Sequence, residues 1–147
     1  MMLMVLCDLL ARTHRIAVLG IKPESRADQA AHYVPRYMQG AGFGIVPVPV
    51  YYPEVTEILG QRVYRKLVDI SGPVDMVNVF RRPVDLMPHL EEILAKKPAS
   101  VWLQLGIRDD AFAEQLTRAG IEVIQDRCIM VEHRHCLAER MASTARS

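Results

Sequence analysis

This chain carries no excess of either charge, few aromatic residues, an odd number of cysteines and no long apolar run. Eighteen lysines and arginines against seventeen acidic residues leave a formal charge of +1, which excludes whole-surface attraction to nucleic acid or to an anionic membrane. Any anion site must be local. Cys7, Cys128 and Cys136 show no C-x-x-C spacing, so no disulfide framework is expected and they read as free thiols of a reducing cytoplasm. The apolar opening, residues 1–10, lacks a basic leader, contains Asp8 and is followed by Arg12 and Arg15. It reads as a short helix packed on the domain rather than as a secretory signal. No apolar run approaches the roughly 18 residues that span a bilayer, so a soluble cytoplasmic protein is expected. Glycine is sparse too: where a dinucleotide fingerprint wants G-x-G-x-x-G, the loop after the first strand offers only Gly20, which disfavours an ordinary NAD domain.

What is present is enough for a core. Of 147 residues, 50% are hydrophobic, which suits one domain without metal or disulfide support. We expect a single domain over residues 1–147, with an N-terminal helical extension (1–14) and a C-terminal helix and tail (128–147). Apolar runs alternate with amphipathic ones throughout. Strands are expected near residues 15–19, 45–50, 75–80, 100–105 and 122–125. The helix between the first two carries Ala30, Val34, Tyr37, Met38 and Ala41 at helical spacing, with Pro35 implying a kink or a late start. Pro47 and Pro49 remove ladder donors from the second strand, so its far end should leave the sheet. Asp109 or Asp110 can cap the helix before the fifth strand, and the last helix is expected over about residues 128–140.

Such alternation implies parallel pairing with right-handed crossovers. The expected fold is α/β, a Rossmann-like doubly wound and mainly parallel five-stranded sheet in the order 3-2-1-4-5, with helices on both faces. Ligands of such sheets bind where the winding reverses, here between the first and fourth strands.

The loop residues suit an anion. Ile16-Ala17-Val18-Leu19 runs into Gly20-Ile21-Lys22-Pro23-Glu24-Ser25-Arg26, a strand, a glycine turn and a loop with two cations and a hydroxyl. Lys22, Arg26, Arg81 and Arg82 all follow strand ends, where guanidinium groups can grip phosphate in bidentate fashion. The same cations also suit an ordinary solvated surface. The second strand ends Pro47-Val48-Pro49-Val50-Tyr51-Tyr52, without the carboxylate that would take the ribose hydroxyls of NAD. It offers apolar and aromatic surface for an adenine, or simply packing over the sheet edge. Gln104 is placed either to bond a ligand amide or to be satisfied by backbone. His133 and His135 point to different helix faces, and His133 with Cys136 has no second ligand pair, so no metal site is assigned. Cys128 beside Arg127 fits a lowered thiol pKa, but equally a buried structural cysteine. No nucleophile, base and orienting acid form a set, so no catalytic residue is assigned.

Taken in order, Gly20 with Ser25-Arg26, Ile58-Leu59-Gly60 with Val63-Tyr64, Val79-Phe80-Arg81-Arg82, Trp102-Leu103-Gln104-Leu105-Gly106-Ile107 and Asp126-Arg127-Cys128 resemble the small stand-alone CoA-binding proteins of bacteria and archaea. Their domain is similar to the CoA-binding domain of the succinyl-CoA synthetase α subunit. The resemblance implies coenzyme A or acyl-CoA as ligand, with Gly20, Ile21, Lys22, Ser25 and Arg26 around the phosphates. It implies Val79, Phe80 and Arg81 along the nucleotide and Gln104, Gly106 and Ile107 toward the pantetheine arm. Pro47 and Val48 complete the expected set. The family usually carries Asn-Pro after the second strand, where Pro49-Val50 stands here. A phosphorylated histidine sits in a separate domain of the ligase relatives, for which this chain has no room. The expected function is therefore non-catalytic CoA binding, with an NAD(P)-binding redox or sensor domain as the alternative. Neither nucleic acid nor membrane is expected as a partner.

Overall fold

The computed structural model describes residues 2–146; Met1 and Ser147, the ends of the expected domain, lie outside the described residues. In chain order the elements are α1 (Met2–Ala11), β1 (Arg15–Leu19), α2 (Ala30–Gly40), β2 (Gly44–Val48), β3 (Glu57–Ile58), β4 (Gln61–Arg62), β5 (Met76–Val79), α3 (Leu90–Lys96), β6 (Ser100–Leu103), α4 (Asp110–Arg118), β7 (Glu122–Ile124) and α5 (Ile129–Arg146). Local chemistry accounts for the boundaries. Asp109 caps α4 by accepting from the Phe112 N–H at 3.0 Å, and α3 ends where Lys97 turns left-handed at φ 56°. Helix α2 runs continuously through Pro35.

Five strands form one parallel sheet, β2-β1-β5-β6-β7, and β3 with β4 forms a separate antiparallel hairpin. The fold is Rossmann-like α/β, but the strand order differs from expectation. Counting the sheet strands along the chain it is 2-1-3-4-5, not 3-2-1-4-5. Proline supplies the physical reason. Pro47 has no N–H, so its strand belongs at an edge, whereas the expected order put it between two others. At the observed edge the Pro47 carbonyl accepts from the Tyr64 N–H at 2.9 Å while the Val48 carbonyl faces inward to the Gly20 N–H at 2.9 Å. The winding therefore reverses between β1 and β5.

Period-two burial divides the core. Ala17, Leu19, Val77, Val79, Val101 and Leu103 join Ile93, Phe112 and Leu116 of α3 and α4 on one face. Ile16, Val18, Met76 and Trp102 meet Leu6, Leu9, Val34, Met38 and Ile129 of α1, α2 and α5 on the other. Strands buried on both faces are near-continuous apolar runs, as a covered parallel sheet requires.

Two of the cysteines expected to be free are bonded. Cys7 of α1 and Cys136 of α5 form a disulfide with Cα atoms 5.5 Å apart across 129 residues of sequence. Spacing rules see only local pairs; this one exists because α1 packs against α5. Cys128 is free. Among the described residues, no helix is long and apolar enough to cross a membrane.

Candidate functional site

The loops after β1, β5 and β6 meet at the C-terminal edge of the sheet. Gly20 makes the closest approach possible. It sits at φ +91°, and a methyl on its Cα would lie 2.2 Å from the Phe80 carbonyl oxygen, so only glycine fits both the left-handed backbone and the gap. Beyond it the side chain of Ile21 is buried at 1% exposure. Lys22 is held through its backbone: its N–H donates to Ala31 O at 3.0 Å, and its carbonyl meets His32 Nδ1 at 2.8 Å. Its ammonium donates to Gln29 Oε1.

A 3-10 turn, Glu24–Arg26, follows. Here the glycine does not lead directly into a helix, since α2 begins only at Ala30. Among the described residues, the N–H groups of Glu24 and Ser25 donate to no protein acceptor, and the side chains of Ser25 and Arg26 are without partners. The Glu24 carboxylate accepts from the Leu59 N–H at 2.8 Å, and Leu59 O accepts from Gln39 Nε2 at 2.9 Å. The β3–β4 turn, with Leu59 and Gly60 both at positive φ, thus braces the loop.

The cations after β5 are already paired. Asp85 lies 4.0 Å from Arg81 Nη2 and accepts from Arg82 Nε at 2.9 Å. Arg82's hydrogen bond, with the charges of Arg81 and His89, holds the Asp85 carboxyl below its usual range against the cost of burial. Arg81 Nε also bonds His89 Nε2 at 3.2 Å. Val79 is in the core, while Phe80 is half-buried against the opposite layer. Pro47 and Val48 are likewise buried, so Ile21, Pro47, Val48 and Val79 present backbone rather than side chain to the edge.

Gln104 closes the third loop. Its Oε1 accepts from Asn78 Nδ2 at 3.2 Å and from the Ile129 N–H at 3.0 Å. The backbone donor fixes the amide orientation and leaves Nε2 without a protein partner among the described residues. Gly106, at φ +83°, donates its N–H to Asp126 Oδ1 at 2.6 Å, and the Asp126 N–H returns to Ile107 O at 3.1 Å. Trp102 Nε1 donates to Arg127 O at 2.8 Å. The Trp102 to Ile107 and Asp126 to Cys128 motifs are therefore two halves of one hydrogen-bonded unit.

Sequence reasoning missed three residues here. Asn78 is buried within a strand and binds both Trp102 O and Gln104; a lone polar residue in an apolar strand was its only signal. Leu105 is 70% exposed beside Gly106, unusual for leucine at a strand end. Arg65 donates to the carbonyls of Tyr51, Tyr52, Pro53 and Val55 at 2.8–3.3 Å, fixing the loop that presents the edge-to-face pair Tyr51 and Tyr52.

These features define a doubly wound parallel domain whose winding reverses between β1 and β5, where ligands of such sheets bind. A family model described as CoA binding domain matches residues 14–134; the chain belongs to that family. It is 39% identical over 126 residues to the uncharacterized protein YneT of Bacillus subtilis strain 168, covering 86% of this chain and 90% of that one. The Thermus thermophilus structure of cell-free ID.343 matches at TM-score 0.84 and 42% identity, over 92% of this chain and 99% of that chain. A hypothetical protein from Pyrococcus horikoshii OT3 matches at TM-score 0.82 and 27% identity, over 92% of both.

Proposed function

We propose that this chain binds coenzyme A or an acyl-CoA without transforming it, with the phosphates at the loop after β1. The observation that carries this reading is the set of uncommitted donors at 24–26: two N–H groups, the Ser25 hydroxyl and the Arg26 guanidinium. Donors fixed by backbone lose little freedom on meeting an anion. Family membership makes CoA the ligand of choice. The adenine lies against the Tyr51–Tyr52 loop, and the pantetheine arm follows Leu105, Gly106 and Ile107 with Gln104 Nε2 as an amide-directed donor. Structural use of the histidines supports a binding role: His32 holds Lys22, His89 holds Arg81 and His133 holds Tyr37.

Thermal unfolding with CoA, acetyl-CoA, NAD, NADPH and ADP tests this, since a ligand of the folded state raises apparent stability. CoA species should raise Tm. Arg26→Ala, which removes a charge-assisted bond of about 1.5–3 kcal/mol, should weaken CoA roughly tenfold or more. A shift with NADPH and none with CoA would overturn the reading in favour of a redox domain.

A further inference from the structure

A cavity of about 630 Å³ lies between α2 and α5, bordering the end of the loop after β1. Asp28, Tyr33 and Arg36 form one wall and Met130 and Arg134 the other, with Tyr37 between them. Its charge is unspent. Arg36 makes no hydrogen bond or ion pair among the described residues, and Arg134 lies over the Tyr37 ring at 5.0 Å with no carboxylate partner among them. That ring is itself fixed, because the Tyr37 hydroxyl meets His133 Nδ1 at 2.8 Å. Asp28 pairs with neither arginine, so two guanidinium groups face one carboxylate around a partly apolar space.

Position gives the cavity its meaning. Ala27, which closes the Glu24–Arg26 turn, lines it on the α2 side. Met130, next to Ile129, whose N–H is tied to Gln104, lines it on the α5 side. On the CoA reading, a ligand with its phosphates at the first place and its pantetheine arm beside the second brings its thiol end to the start of α5. We propose that an acyl group on that thiol continues into this cavity and that Arg36 and Arg134 select one ending in a carboxylate, that is, a dicarboxylic acyl thioester. A planar guanidinium matches a carboxylate in bidentate geometry, and the volume lies within the range of small-molecule sites. Met130 and the tyrosine rings suit the short methylene chain between thioester and acid.

The proposal rests on the CoA reading, and calorimetric titration of the whole protein separates the two. Succinyl-CoA and butyryl-CoA are near-isosteric probes that differ in carboxylate against methyl. Succinyl-CoA should bind at least tenfold tighter than butyryl-CoA. The double variant Arg36→Gln, Arg134→Gln should erase that preference and leave CoA itself unchanged. No preference in the natural protein, or a preference surviving the double variant, would overturn the acyl proposal while CoA binding stands. Free succinate binding as tightly as succinyl-CoA would overturn it in favour of an independent anion site. Failure of CoA and both thioesters to bind would overturn the CoA reading and this inference with it.

Discussion

Pro35 and Lys22 are coupled through one oxygen. An amide proton at residue 35 would claim the carbonyl of Ala31, four residues back; proline has none, and that oxygen accepts instead from the Lys22 N–H at 3.0 Å. The residue that weakens α2 thus supplies the acceptor that pins the loop after β1. Pro35→Ala should restore a competing helical donor. Hydrogen exchange at Lys22 should quicken and CoA affinity should fall; unchanged exchange there would show that the loop does not depend on the freed carbonyl.

Gln104→Leu should destabilise the fold by about 2 kcal/mol, because the Ile129 N–H loses its acceptor and Asn78 loses one of two. Denaturant titration reads this directly. A loss below about 0.5 kcal/mol, the scatter of neutral surface changes, would mean that the start of α5 is held by packing alone.

Asp85 competes with any phosphate for Arg81 and Arg82. Replacing it with asparagine should strengthen CoA binding severalfold, with the gain fading as salt is raised. Weaker binding in the variant would assign Asp85 to holding the arginines in a productive position.

Cys7→Ser with Cys136→Ser opens a closure of 129 residues. The expected stability loss is about 4 kcal/mol, read as a lower denaturant midpoint with CoA affinity preserved. Equal midpoints for the variant and the oxidised natural protein would show that the cross-link contributes nothing.

His133 has its pKa lowered, first by burial and then by the Arg140 charge. Its folded form binds a proton less readily than the unfolded chain, so its contribution is complete above the ordinary histidine value near 6.5 and is lost as pH falls through the lowered pKa. From about pH 7.5 to about pH 5, Tm should drop more steeply in the natural protein than in His133→Gln, which keeps an acceptor for Tyr37. Parallel profiles would remove His133 from the acid response.

The alternation of strands and helices, the α/β class and the loop after Leu19 were legible in the chain alone, because they follow from apolar periodicity and from a glycine at a strand end. The family-bearing motifs were legible too, since each is a short contiguous segment. Tertiary structure decided what depends on distant partners. Pro47 excluded an interior strand, yet only the Tyr64 N–H on its outer side shows which edge it takes. Cys7 meets Cys136 because two terminal helices pack together, a proximity that spacing does not encode. The availability of each cation was decided the same way: Arg26 has no partner among the described residues, while Arg81 and Arg82 face Asp85. Residue type specifies what a side chain can bind, and only its neighbours in space determine whether that capacity is already used.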